Sequence, residues 1–311
     1  MAHRLISELK LGERISQNLL VYEVVRRQKK DGSPYFILTL GDKSGKISAI
    51  LWEEAKAQNL VKDSVVKIEG VVEEWEETPR IKIENITPVD ENKVDFSLLL
   101  RSSERNAEEL LAKLRKLIGD VKNEYLLAIA NAFLNDAAFM EQFKKAPASY
   151  EKHHAYIGGL LEHTHDVTRI MKALSMIYPD TDSDLMVVGG FLHDVGKIKQ
   201  YTYRCSIGYS TEGRLIGHIL FGYEMLKEKA ATIENFPSEL LLKLQHMVLS
   251  HHGTNEWGSP VEPMFVEAAL LHYADLTDSQ TNMFLEAQNQ PPENEEWSQY
   301  VRPLRRQVYL K

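Results

Sequence analysis

The spacing of apolar and polar positions divides the chain near residue 90. Before that point apolar residues recur at every second position, the period of a half-buried strand. In PYFILTLGD (34–42), Phe36, Leu38 and Leu40 fall on one side and Tyr35, Ile37 and Thr39 on the other. LLVYEVVRRQ, rich in β formers, precedes it. DKSG at 42–45 predicts a hairpin turn. KISAILW predicts a third strand, EEAKAQNL a short helix, and SVVKIEGVVEEW and RIKIENITPV two more strands. Three strands, a short helix and two strands form the order of a five-stranded OB-fold β-barrel. A small barrel used only for packing is the plainer alternative.

From about residue 96 the period becomes helical. AEELLAKLRKLIGDV, NEYLLAIANAFL and DAAFMEQFKKA carry apolar residues at i, i+3/i+4. Further helices are expected to about residue 290, then a polar, proline-containing loop (QNQPPENEEW) and a tail, YVRPLRRQVYLK, that alternates apolar and basic residues. The expected class is multi-domain α+β: a barrel over 1–90, a helical connector over 91–150, an all-α bundle over 151–290 and a C-terminal tail over 291–311.

Composition narrows the setting. A chain of 311 residues suggests two or more domains. The formal net charge of -8 argues against a surface coated for nonspecific nucleic-acid binding. Residues 1–90 hold 14 basic and 15 acidic side chains, so any nucleic-acid groove there must be local, its binding modest and salt-sensitive. The single cysteine, Cys205, excludes an internal disulfide and a cysteine-based zinc cluster, and suits a reducing compartment. MAHRLISELKLGER has no apolar core of a signal peptide, and no run approaches the roughly 18 apolar residues of a membrane span. A cytoplasmic protein without a membrane partner is expected. Self-association into a homo-oligomer stays open.

The chemistry concentrates in the second half. Of 11 histidines, nine lie between residues 153 and 252, and His272 lies just beyond. GGLLEHTHD (158–166), FLHDVGK (191–197), LIGHI (215–219), LSHHG (249–253) and HYADLTDS (272–279) each set a histidine or aspartate among apolar residues. One such residue is usually a satisfied core polar group. Five separate pieces are hard to explain that way, because each buried polar group needs a partner. His193 and Asp194 are adjacent, and on a helix they would point about 100° apart. They can still converge if metal ions lie between helices and the carboxylate bridges them. Mixed His/Asp donors without thiolate suit manganese, iron or similar ions. Two such ions stabilise both oxygens of a phosphoryl displacement and activate water. Lys197, three residues after Asp194, could hold a phosphate as a point charge; a solvated surface lysine is the alternative.

His163, His193-Asp194 and Asp275 form an H…HD…D set that resembles the HD-domain metal phosphohydrolases, and His218 with His251-His252 resembles their subset with two or more metals. An OB-fold joined to such a domain resembles the YhaM-type 3′-to-5′ exoribonucleases, over nearly the whole chain. The resemblance implies an HD-type phosphohydrolase domain over 151–290 and two divalent ions per chain, manganese before iron or cobalt. One ion would be held by His163, His193, Asp194 and Asp275, the other by Asp194, His218, His251 and, with less support, His252. Asp194 and Lys197 would be the catalytic pair. Gly253 would end the helix and let the paired histidines turn inward. His272 and Asp278, three residues either side of Asp275, are read as orienting the ligands. His165, about 200° from His163 on a helix, is read as surface or as support behind the ligands, and His246 as helix surface. His154, with His153, either contacts a phosphate or lies in a polar loop.

OB-folds grip single strands by stacking bases on aromatics in a basic groove. Alternation turns Tyr35, Lys46, Trp52, Arg80 and Lys82 outward as candidate substrate contacts, with RRQKK (26–30) in or near a contact loop. That charge run reads equally as a solvated loop. EEWEE (73–77) would repel a phosphate backbone. The implied activity is 3′-to-5′ hydrolysis of single-stranded RNA by metal-activated water, releasing nucleoside 5′-monophosphates; nothing in the sequence reads the 2′-OH, so single-stranded DNA is also open. The rivals are a phosphodiesterase or phosphohydrolase of small or cyclic nucleotides and a non-catalytic single-strand-binding protein. GTNEWGS stands where the cyclic-dinucleotide branch carries a GYP element, and the full ligand set weighs against a non-enzyme.

Overall fold

The computed structural model describes residues 3–90, 94–203, 206–290 and 292–311. Cys205 lies outside them. The chain forms two compact units: Met1–Ser102 with Tyr203–Ser206, and Ser103–Thr202 with Ile207–Lys311.

The first unit holds β1 (Arg14–Gln28), β2 (Pro34–Asp42), β3 (Gly45–Leu51), α1 (Glu54–Ala57), β4 (Val65–Trp75) and β5 (Thr78–Pro88). They close into a barrel in the order β1-β2-β3-β5-β4, the OB-fold that the strand order predicts. β1 starts at Arg14, ahead of the LLVYEVVRRQ run, because its first half pairs with β4 and only its second half with β2. Leu38, Leu40, Leu51, Ile68 and Ile81 are fully buried inside, each burial worth roughly 1.5–3 kcal/mol. The β2–β3 turn is tied by Asp42, whose Oδ1 accepts from Ser44 N–H at 2.8 Å.

The second unit is helical: α2 (Ala107–Gly119), α3 (Glu124–Leu134), α4 (Ala137–Phe143), α5 (Gly159–Ile177), α6 (Ser183–Leu192), α7 (Lys197–Gln200), α8 (Thr211–Leu215), α9 (His218–Ala230), α10 (Ser238–Ser250) and α11 (Val266–Gln288), with a small ribbon, β6 (Tyr201–Thr202) and β7 (Gly208–Tyr209), between α7 and α8. α2, α3 and α4 open on Asn106, Asn123 and Asp136, whose side chains accept first-turn N–H groups. α5 packs against α2, α6 and α11. Arg105, just ahead of α2, pairs with Asp166 and Glu162 on α5. The tail folds back on α11, with Leu304 and Val308 buried against Ala287. No helix among the described residues is long and apolar enough to cross a membrane.

Candidate metal centre

His163 projects from α5, His218 opens α9, His251 follows α10 and Asp275 lies on α11. The His193-Asp194 pair sits between α6 and α7, in a turn, so the helical setting expected for it is corrected. The turn is tight because the chain crosses α9 there. A Cβ on Gly196 would lie 2.0 Å from the His218 carbonyl oxygen, so only glycine fits.

Asp194 is at the centre, with 1% of its surface exposed. Its two oxygens face different histidines. Oδ2 lies 3.3 Å from Nε2 of both His163 and His193. Oδ1 lies 3.4 Å from Nε2 of His218 and 3.5 Å from Nε2 of His251. Asp275 Oδ1 completes the first side, 3.3 Å from His163 Nε2. His252 joins the second, its donor atom within 4.8 Å of those of His218 and His251.

The far ring nitrogens are held so that Nε2 points inward. Nδ1 of His193 lies 2.8 Å from the Gly190 carbonyl, Nδ1 of His251 2.7 Å from that of Val248, and Nδ1 of His252 2.9 Å from that of Trp257. A carbonyl only accepts, so each Nδ1 carries the proton and each Nε2 keeps its lone pair. Asp278 holds Nδ1 of His163 at 2.7 Å. His272 donates from Nδ1 to the His251 carbonyl at 3.0 Å. Gly253, at φ +84, clears the way, since a Cβ there would strike the His272 ring at 2.3 Å.

These residues fit divalent cations. Both Asp194 oxygens and the Nε2 atoms of His218 and His251 are buried without a hydrogen-bond partner, which a folded protein tolerates poorly unless a further group completes them. Donor atoms about 2.0–2.2 Å from a shared ion would sit roughly 3 Å apart, close to the spacings here. Burial pushes the His218 and His252 imidazoles down, His252 to about 3, so both are neutral and keep a lone pair to offer. Burial also opposes charge on Asp194, but the Lys197 charge beside it holds its carboxyl well below the usual range. Burial lowers His163 too, yet Asp194, Asp275 and Asp278 together raise it well above its ordinary value. Without a cation His163 therefore holds a proton that a metal would displace.

Lys197 is buried, its Nζ 2.5 Å from Asp194 Oδ2 without hydrogen-bond geometry; the solvated alternative is ruled out. His154 is a correction. Its Nδ1 meets the Tyr156 hydroxyl at 2.8 Å and its Nε2 meets Asp278 at 2.9 Å, so both nitrogens are occupied and neither reaches a phosphate. His153 is the one with a buried, unpartnered Nε2. His165 is another correction to a surface reading: it is 2% exposed, with Nδ1 2.8 Å from Asp166 and 3.2 Å from Arg105.

On the barrel, Tyr35 and Trp52 stack with ring centres 5.3 Å apart, and Lys29 Nζ lies 5.0 Å over Trp52. Cross-strand register puts Ser48 opposite Arg80 and Ile50 opposite Lys82. Lys82 is exposed. Arg80 is drawn instead onto Glu73 at 2.6 Å and over Trp75, in the acidic EEWEE stretch. Lys46 lies over Tyr22, 4.1 Å from the ring centre, a pairing that strand alternation did not reveal.

Sequence comparison joins the two units to known domains. The OB-fold nucleic acid binding domain matches residues 21–89 and the HD domain residues 160–280. The histidine and aspartate centre is therefore that of an HD domain, and its clustered donors suit a divalent metal. The chain is 34% identical over 278 residues to the 3′-5′ exoribonuclease YhaM of Bacillus subtilis (strain 168), covering 88% of this chain and 87% of the relative. The same identity and coverage hold for the 3′-5′ exoribonuclease YhaM of Bacillus pumilus (strain SAFR-032). This chain belongs to the YhaM family. Among solved structures, a domain of replication protein A from Methanococcus maripaludis is 23% identical, with a TM-score of 0.26, covering 28% of this chain and 94% of that one.

Proposed function

We propose that this protein is a 3′-to-5′ exoribonuclease that hydrolyses single-stranded RNA to nucleoside 5′-monophosphates with two divalent ions per chain, manganese foremost. The observation that carries the reading is the Asp194 carboxylate, whose two unpartnered oxygens face two separate histidine sets. A carboxylate so placed is suited to bridge two ions. Bound there, such ions supply Lewis-acid charge stabilisation and water activation.

The chain's own residues do the rest. His163, His193 and Asp275 would hold one ion and His218, His251 and His252 the other. Lys197 balances the Asp194 charge from within the site. The Tyr35–Trp52 stack offers an aromatic platform on which bases can lie, with Lys29 and Lys82 as nearby cations for the phosphates. The aromatic platform stacks bases whatever the sugar, so single-stranded DNA stays open as a second substrate, and the same assay on a labelled DNA oligomer tests it. A cytoplasmic setting fits the single cysteine.

The test is a 5′-labelled single-stranded RNA incubated with the purified chain and manganese. A ladder shortening from the 3′ end is expected. Intact RNA with two metals bound per chain would overturn the reading and favour a phosphohydrolase of small nucleotides.

A further inference from the structure

A cavity of about 600 Å³ opens beside the metal centre and shares His153, His252 and Asp275 with it. That volume lies within the roughly 300–1,000 Å³ of ordinary ligand sites. Its outer wall is built by the C-terminal tail, which presents Arg305 and Arg306, and by the short helical turn Asn255–Trp257.

We propose that this cavity is a nucleotide subsite, in which Arg305 and Arg306 take the phosphates of the strand's 3′-terminal segment and Trp257 stacks a base. The subsite rests on the exoribonuclease reading of the adjoining centre.

Three observations support it. First, the two arginines are fixed in place. Leu304 is buried against α11, Val301 donates its N–H to the Arg306 carbonyl at 2.9 Å, and Arg306 Nε donates to the Leu304 carbonyl at 3.0 Å. Arg305 itself has φ +53, a left-handed conformation that L residues avoid unless the surroundings impose it; such positions cluster at ligand clamps. Second, neither guanidinium pairs with a carboxylate among the described residues, in a chain of net charge -8 where Arg4, Arg14, Arg26, Arg80 and Arg105 all do. A planar fork without a carboxylate partner, beside the proposed phosphodiester-cleaving centre, suits phosphate. Third, Trp257 is 53% exposed yet anchored: its carbonyl accepts from His252, and its indole lies 5.8 Å from the His272 ring. An exposed, anchored indole lining the same cavity as two cations is an arrangement that stacks a base.

The test uses the full-length, manganese-loaded protein. The double variant Arg305→Gly with Arg306→Ala removes both guanidiniums, and glycine accepts the positive φ without strain. Arg302→Ala, which removes one charge from an exposed position of the same tail outside the cavity, is the control. Two readouts are taken: KM for single-stranded RNA across salt concentrations, and the affinity for adenosine 5′-monophosphate by calorimetry. The double variant is expected to lose at least roughly tenfold in both. Its salt dependence for RNA should flatten by about 1.4 in slope, or about 0.7 for each phosphate released. Trp257→Ala should weaken nucleotide affinity roughly five- to 150-fold. Unchanged KM and affinity in the double variant, or an equal loss in Arg302→Ala, would overturn the subsite. Wild-type protein that leaves RNA intact but binds the nucleotide through these arginines would sink the exoribonuclease reading and leave the subsite standing.

Discussion

Nδ1 of His163 is held by the Asp278 carboxylate at 2.7 Å, and this one contact decides which nitrogen of the ring faces the metal centre. Asp278 is itself steadied by Nε2 of His154 at 2.9 Å. Ligand orientation therefore passes along a chain of three residues from α11, α5 and the loop ahead of it. Removing such a supporting carboxylate commonly costs 10- to 100-fold in metal affinity, so Asp278→Ala should bind manganese about that much more weakly. Metal titration followed by calorimetry checks it; wild-type affinity would mean that packing alone orients His163.

Asp194→Ala should lose bound metal and all cleavage while still binding single-stranded RNA through the barrel. It should also be unstable, because Lys197 would remain buried with no opposite charge beside it, a loss of roughly 3–5 kcal/mol. Adding Lys197→Met should restore much of the stability and none of the metal. Melting curves and metal content of both variants decide the matter, and retained cleavage in Asp194→Ala would refute the bridging role.

The stacked Tyr35–Trp52 pair makes a prediction for the barrel. Trp52 is 41% exposed, so part of its ring is open to an incoming base. Trp52→Ala should weaken binding of single-stranded RNA by roughly 1–3 kcal/mol. Fluorescence anisotropy on a labelled oligomer would show it, and unchanged affinity would assign the ring to packing alone.

Asp136 links stability to pH. Its Oδ1 accepts from the Phe139 N–H at 3.0 Å, capping α4, and its Oδ2 pairs with Lys229 of α9 at 2.7 Å. The Lys229 contact and the cap hold its carboxyl below the ordinary carboxylate value. A depressed folded pKa stabilises the protein above the unfolded value, about 3.9, and that contribution disappears as pH falls through the folded one. Asp136→Ala should cost about 1 kcal/mol near neutral pH, and its deficit against wild type should narrow below about pH 4. Urea melts at the two pH values test this; a deficit that stays constant would point to packing at the cap rather than charge.

The barrel was legible in the sequence because its strands bury one face and leave the other to solvent, as Phe36, Leu38 and Leu40 do against Tyr35, Ile37 and Thr39. The histidine pieces were legible as chemistry because apolar neighbours make an unpaired imidazole costly. The setting of the HD pair was not, since the turn that follows α6 meets a residue far along the chain, with Gly196 lying close against the His218 carbonyl. The His154 contacts were hidden likewise: its partner Asp278 comes from α11. Lys46 reads as an outward strand lysine, and only the packed barrel brings it over Tyr22. Periodicity reports which face of an element is dry. It does not report which distant side chain will meet that face.

Arg105 gives the second unit a starting point. Glu162 and Asp166 share the helix of His163, and their paired cation comes from a segment more than fifty residues upstream. A truncation that began at the first conspicuous histidines would leave Glu162 without its cation and Asp166 with only the exposed Arg169 at 3.5 Å, on the helix that carries a proposed ligand. A self-sufficient catalytic fragment would thus have to include Ser103 and Arg105, residues that touch no ligand and carry no motif.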